Sequence, residues 1–252
     1  MSSKNINFRD FFMNFGVICE FNPFHKGHQY LIESVKRDGD GIICVMSGNF
    51  VQRGEAAVYS KFERAETAVK NGADLVIELV TPCATMSAQG FAEAGVKLLE
   101  STGVCDAIAF GAECDDVAEL KKLAEEIKEK DADIQKALAE GISYPAARQK
   151  VIGSPLLDTP NNILAIEYLS CTCLAPVAVK RIGKGHDTDD EEYSASEIRK
   201  HIADKASLQN CERAVLYQLR TMSAEDFLRI DDVSEGLHNR IYEAVRTAKT
   251  LD

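Results

Sequence analysis

Short apolar runs, each followed by a stretch of helical periodicity, limit what this chain can become. They are Gly16–Phe21, Gly41–Met46, Asp74–Leu79 and Asp106–Phe110, with a fifth at Pro176–Ile182. Each is too short to span a membrane and suits a strand buried on both faces. Between them the pattern turns helical over residues 26–37, 60–70 and 88–101, and Asn71-Gly72 closes the second of these with the usual glycine stop. Strands that alternate with helices of this length form βαβ units. The expected fold class is α/β, a parallel sheet with helices on both faces. Further helices are expected over residues 115–130, 144–151, 163–170 and from 193 to 201, after a polar, acidic loop at Lys184–Glu192. The 115–130 helix carries Lys and Glu at i, i+4 spacing, the mark of a solvated face. No strand is expected beyond Leu208. The chain therefore divides into an N-terminal extension (1–15), a main domain (16–204) and a small helical appendage (205–252).

Ligands in such sheets bind at the carboxyl ends of the strands, so the residues just after each run matter most. The first run ends in Glu20-Phe21-Asn22-Pro23-Phe24-His25-Lys26-Gly27-His28. Asn22-Pro23 breaks the strand, and a helical pattern begins at once. A helix start offers unbonded backbone N–H groups and the positive end of a dipole, a natural place for phosphate. His25 and His28 share one face of the first turn. Either can donate a hydrogen bond to a phosphate oxygen, with charge assistance when protonated. Gly27 removes side-chain bulk, so a ligand can approach. A histidine at a helix start is ordinarily a cap or a surface residue. A histidine pair can also be half a metal site, but no H-E-x-x-H or Cys/His partner at ligand spacing lies nearby. The preceding strand and the glycine between the histidines favour a nucleotide.

Other strand ends add candidates. Ser47-Gly48-Asn49-Phe50-Val51-Gln52-Arg53-Gly54 follows the second run, with side chains suited to bonding an acyl or adenylate group. Lys61 and Arg64, on the next helix, could add positive charge to the site, but on spacing alone each reads as a surface residue. Gly111 closes the fourth strand, where a nucleobase or ribose could rest on the backbone. Asn161 and Asn162 open a helix, one able to cap while the other faces the crevice. Arg181, in Lys180-Arg181-Ile182-Gly183, stands where phosphate or adenine would sit. Ser194, Ser196 and Arg199 form a second phosphate clamp, compatible with a Ser194/Glu197 capping box.

H-x-G-H at 25–28 resembles the signature of the nucleotidyltransferase superfamily. Taken in order, residues 16–28, 46–55, 71–79, 161–169 and 180–183 resemble the bacterial tRNA(Met) cytidine acetate ligase family. The resemblance runs from about residue 16 to 250. It implies a Rossmann-like nucleotidyltransferase sheet. It also implies that ATP and acetate form acetyl-adenylate with release of pyrophosphate. The acetyl group then passes to N4 of the wobble cytidine in elongator tRNA(Met). By position, the implied ATP site is Ile18, Cys19, Glu20, Phe21, Asn22, Pro23, Phe24, His25, Lys26, Gly27, His28, Gln29, Tyr30, Leu31, Gly111, Asn162, Arg181, Ile182, Ser194 and Ser196. His25, His28 and Arg199 are the implied catalytic residues, stabilising charge on the phosphates. Mg²⁺ is implied with ATP, bound mainly through phosphate oxygens and water. The phosphate motif begins Tyr193-Ser194 where the family has Ile-Ser. The family's chains also run further, into a basic C-terminal part expected to help hold tRNA, of which residues 205–252 are expected to be the start.

Composition bears on partners. The formal charge of −11 argues against broad, nonspecific nucleic-acid binding, which relies on Lys and Arg. No run approaches the roughly 20 apolar residues of a membrane span, and residues 1–14 lack the basic start of a signal peptide. The eight cysteines include no C-x-x-C pair, so a reduced, cytoplasmic protein without a disulfide frame or zinc is expected. Two other functions stay open: a nucleotidyltransferase acting on a small molecule, and a nonenzymatic nucleotide-binding module.

Overall fold

The computed structural model describes residues 12–181, 195–202, 212–230, 233 and 236–250. Five strands form one parallel sheet: β1 (Asn14–Cys19), β2 (Gly41–Ser47), β3 (Leu75–Leu79), β4 (Ala107–Ala112) and β5 (Ala175–Lys180). Their order is β3-β2-β1-β4-β5. The chain winds outward from β1 through β2 to β3, then returns to the other side of β1 as β4. The switch point lies between β1 and β4, where open α/β sheets take their ligands.

The alternation of side chains along each strand explains why both faces are covered. Ile42, Cys44 and Met46 of β2 point to the face that also buries Leu31, Ile32 and Val35 of α1 (Lys26–Val35) and Ala68 of α2 (Lys61–Lys70). Ile43 and Val45 point the other way. They join Phe91, Val96 and Leu99 of α4 (Ala88–Ser101), Leu120 and Leu123 of α5 (Val117–Glu129), and Ala165 and Ile166 of α8 (Pro160–Cys171). Gly16 and Gly95 are points of close approach. A Cβ at Gly16 would lie 2.6 Å from Leu99, and one at Gly95 would lie 2.8 Å from Ile18.

The sheet opens at the switch point. β1 and β2 pair along six residues, Asn14↔Gly41 to Cys19↔Met46. β1 and β4 pair only at Phe15↔Ala107 and Gly16↔Ile108. Beyond these the two strands diverge, and their carboxyl ends form the mouth of a crevice.

Element boundaries differ from expectation in informative ways. β1 starts at Asn14, so Asn14 and the buried Phe15 belong to the sheet rather than to an extension. It ends at Cys19, because Phe21 turns the chain with φ 46° ahead of a cis Asn22-Pro23 bond. β4 continues through Gly111 and Ala112, whereas β5 stops at Lys180. α5 buries Leu120, Leu123, Ala124 and Ile127, so only its other face is solvated. Two helices were not expected: α3 (Thr81–Ala84), which takes Pro82 into its first turn, and α6 (Asp131–Leu138). α7 (Tyr144–Ile152) matches expectation. The later elements are helical: α9 (Ala195–His201), α10 (Glu212–Thr221), α11 (Ala224–Phe227) and α12 (Leu237–Thr247). The Lys184–Glu192 loop, Ile182 and Ser194 lie outside the described residues, as does most of 1–15. Among the described residues no helix is long and apolar enough to cross a membrane.

Candidate nucleotide-binding crevice

The crevice is built around the start of α1, where two histidines hold each other. His25 is the N-cap in an extended conformation, and its Nδ1 accepts from the N–H of Gly27 at 3.0 Å. Nδ1 of His28 accepts in return from the N–H of His25 at 3.3 Å. This is a reciprocal capping box, the arrangement usually made by Ser or Thr with Glu. The rings stack at 3.8 Å between centroids with 27° between planes. The spacing explains Gly27: a Cβ there would lie 2.9 Å from Cε1 and 3.0 Å from Nδ1 of His25. The glycine makes room for the histidine ring.

The same bonds fix the tautomer. A nitrogen that accepts carries no proton, so each neutral ring carries its proton on Nε2. Burial holds both rings in that state. It pushes His25 down to about 4, helped by the charges of Arg181 and Arg199. His28 is held well below the ordinary histidine value by burial first, then by His25 and Arg181. Phe21 and Phe24 close in on His28, with centroids 4.9 and 5.6 Å from its ring. With both pKa values lowered, the rings are neutral near pH 7 and offer Nε2–H donors without the charge assistance that protonation would add. The backbone donors expected at the helix start are engaged as well. Gly27 N–H goes to His25, and the N–H groups of His28 and Gln29 go to the carbonyl of His25.

Positive charge enters from the opposite wall. Arg181 follows β5, and its stem lies over Gly111, where a Cβ would come within 3.3 Å. Its guanidinium donates to Oδ1 of Asn161 at 3.2 Å and sits 3.9 Å from Glu113. Arg199 reaches in from α9 and donates to the carbonyl of Asn22 at 2.7 Å. The two asparagines divide their work, though neither caps the helix: both lie inside the first turn of α8, whose N-cap is Thr159. Asn161 donates to Glu113 and faces the crevice. Asn162 is buried, its Oδ1 accepting from Cys114 N–H and its own N–H donating to Glu113. The expected contact residue Asn162 thus shapes the wall, and Asn161 presents the side chain. Glu113, the acceptor for both, went unrecognised; its signal was an acid at a strand end before two asparagines.

On the β2 side, a buried cation holds the strand ends. Arg64 is 2% exposed. Its guanidinium donates to the carbonyls of Glu20, Ser47, Gly48 and Tyr59. The reading of Arg64 as a surface residue is wrong because a guanidinium can satisfy a cluster of strand-end carbonyls from within. Glu20 lies above it, with Oε1 accepting from Gln52 N–H at 2.9 Å. Burial raises the Glu20 pKa against the pull of that N–H, Arg199 and Arg64.

The cavity so enclosed is about 410 Å³, within the range of small-molecule sites. Of the expected site residues, Ile18, Cys19, Glu20, Phe21, Asn22, His25, Gly27, His28, Tyr30, Leu31, Gly111, Arg181 and Arg199 line it. Pro23, Phe24, Lys26, Gln29 and Asn162 do not. Gln29 instead bonds Glu33 on the outer face of α1. Ser196 lies on α9, and its side chain is outside the described set. From the loop after β2, Val51, Gln52 and Glu55 line the cavity, while Asn49 accepts from the N–H of Lys61. Among the described residues no group of three or more metal-ligating side chains is present.

The geometry agrees with what comparison finds. The sequence model of the HIGH nucleotidyl transferase family matches residues 13–215. Over 278 aligned residues the chain is 40% identical to the tRNA(Met) cytidine acetate ligase of Thermoanaerobacter sp. (strain X514), covering 91% of this chain and 69% of that protein. This chain belongs to the tRNA(Met) cytidine acetate ligase family. The ligase of Acetivibrio thermocellus is 35% identical over 291 residues, or 94% of this chain and 70% of its own length. The crystal structure of Thermotoga maritima TmcAL bound with alpha-thio ATP superimposes with a TM-score of 0.80 at 30% identity, covering 94% of this chain and 68% of that one. The ligase-family stretches at 16–28, 46–55, 71–79, 161–169 and 180–183 all fall within the matched region. The sheet is a Rossmann-like nucleotidyltransferase fold.

Proposed function

We propose that this chain activates acetate with ATP and transfers the acetyl group to N4 of the wobble cytidine of elongator tRNA(Met). The observation that carries the reading is the paired Nε2–H donors of His25 and His28, facing Arg181 and Arg199 across the switch point of a ligase-family fold. Acetate oxygen attacks the α-phosphorus of ATP and pyrophosphate leaves. Such a displacement needs positioning and charge stabilisation more than a protein nucleophile. The imidazoles donate to phosphate oxygens without bringing charge. Arg181 and Arg199 supply the charge. Phe110, Leu164, Tyr168 and Val179 line the same cavity and offer an apolar surface for adenine. The wall fits phosphates rather than a bare metal, so Mg²⁺ would arrive on phosphate oxygens and water. The acetyl-adenylate is then opened by the cytidine amine. A tRNA-modifying enzyme works where tRNA is, in the cytoplasm.

The test is incubation with ATP, acetate and tRNA(Met). Acetate-dependent pyrophosphate release and N4-acetylcytidine, read by mass spectrometry, are expected. Pyrophosphate release that does not depend on acetate points to a different acyl or nucleotidyl acceptor. No turnover of ATP under any of these conditions overturns the reading.

A further inference from the structure

The crevice is not uniformly cationic. His25, His28 and Arg181 gather at one end, where the phosphates fit, and Arg199 stands close enough to act on both His25 and Glu20. At the β2 end the lining turns acidic: Glu20 and Glu55 line the cavity there, with Arg199 and Arg64 beside Glu20 and Glu55 near enough to help raise its pKa. A carboxylate pair repels acetate and phosphate alike. It suits a donor, and the donor in the proposed reaction is the exocyclic amine of cytosine, the usual partner of Glu in base recognition.

The two acids are not equivalent. Glu55 is exposed. Glu20 is fixed at the carboxyl end of β1, with Gln52 N–H on Oε1 and Arg64 gripping its backbone carbonyl. Among the described residues nothing hydrogen-bonds its Oε2.

We infer that Glu20 is a catalytic residue of the transfer step, receiving the cytidine amine on its free carboxylate oxygen and taking its proton. The inference rests on the function proposed above. N4 attacks the acetyl carbonyl, forming the N–C bond. The C–O bond to the adenylate breaks, and AMP leaves with its electron pair. The proton lost from N4 passes to Glu20. Burial makes this carboxylate a stronger base than an exposed one. Among the described residues, the charged or titratable groups around it are Glu55 on the β2–α2 loop, Arg64 on α2, Arg199 on α9, Cys19 on β1 and Tyr168 on α8.

The two half-reactions separate the role. Activation is read as acetate-dependent ATP–pyrophosphate exchange without tRNA. Transfer is read in single turnovers of preformed acetyl-adenylate with tRNA(Met), and with free cytidine as a second acceptor. Glu20→Gln is expected to lower the ratio of transfer to exchange by about 100-fold or more, the usual worth of a general base. The wild-type transfer rate should rise with pH along a limb set above the ordinary glutamate value, and Glu20→Gln should lose that limb. Glu20→Asp keeps a carboxylate and should keep the limb at a reduced rate, which guards against a folding defect in Glu20→Gln. An unchanged ratio, equal loss of both half-reactions, or a pH limb that survives Glu20→Gln overturns the inference. So does intact exchange in the wild type with transfer to neither acceptor. Absence of exchange in the wild type overturns the function itself instead.

Discussion

Replacing Gly27 with alanine separates folding from chemistry at the histidine pair. On helix propensity alone the change should help by up to about 1 kcal/mol, the helix-interior preference for alanine over glycine, since Gly27 lies in the first turn. Gly27 is not among the positive-φ glycines, so the backbone accepts alanine. The added methyl, however, would sit 2.9 Å from Cε1 of His25. Carbon contacts settle near 3.5–4.0 Å, so the ring must swing out by roughly half an ångström or more. That stretches the 3.0 Å bond from Gly27 N–H to Nδ1 past useful length. Loss of a cap costs about 1 kcal/mol, so the two effects nearly cancel. The expected result is an unfolding free energy in urea within about 0.5 kcal/mol of wild type and ATP–pyrophosphate exchange reduced at least about 100-fold, since misplacement by an ångström can cost that much. The assay pair is chemical denaturation and acetate-dependent exchange. Near-normal exchange in a stably folded Gly27→Ala protein would refute the claim that ring placement depends on this glycine.

Three further outcomes follow from the same geometry. Both histidines have folded pKa values depressed below the ordinary 6.5, His25 to about 4, so the unfolded chain takes up protons first as pH falls. Their contribution to stability is therefore fully present above about pH 6.5 and lost toward pH 4; urea titrations at several pH values should show this, and His25→Asn should flatten part of it. Arg64→Met strips four carbonyls, two of them buried, of their donor and should cost about 3 kcal/mol or more, lowering Tm by roughly 6 °C or more. On the same helix, Lys61→Ala breaks the partly exposed pair with Glu78 and an exposed contact with the Phe62 ring, and should cost under about 1 kcal/mol by the same melts. Asn162→Ala leaves the Cys114 N–H without its partner and should lower stability by about 1–3 kcal/mol, whereas Asn161→Ala should weaken ATP binding several-fold in calorimetry with little change in Tm.

The fold was legible because buried parallel strands announce themselves as short apolar runs. All five were visible, and they need no side-chain chemistry to be found. The histidine turn was legible too, because a strand end, a break and H-x-G-H lie together in sequence. What sequence could not give was division of labour between neighbours. Asn161 and Asn162 are alike on paper, and only the helix phase sends one outward and the other under Cys114. Arg64 resembles any helical surface arginine until the carbonyl ends of β1 and β2 are assembled around it. The histidines' protonation state was likewise invisible, since burial by Phe21 and Phe24 and the nearness of Arg181 exist only in three dimensions. Glu20 read as part of a phosphate-binding stretch, and its place at an acidic end appears only with the loop carrying Gln52 and Glu55 folded beside it.

The reciprocal histidine box has a consequence for anyone who evolves this chain. One nitrogen of each ring holds the helix start, and in the proposed function the other donates to phosphate, so a single residue answers to two selections. The customary occupants of the two positions, serine and glutamate, would satisfy the first selection as well or better. A search for heat resistance alone would drift toward His25→Ser and His28→Glu, and its melting curves would record only improvement. Such a lineage would lose its chemistry silently, so any screen on this scaffold has to score turnover in every round.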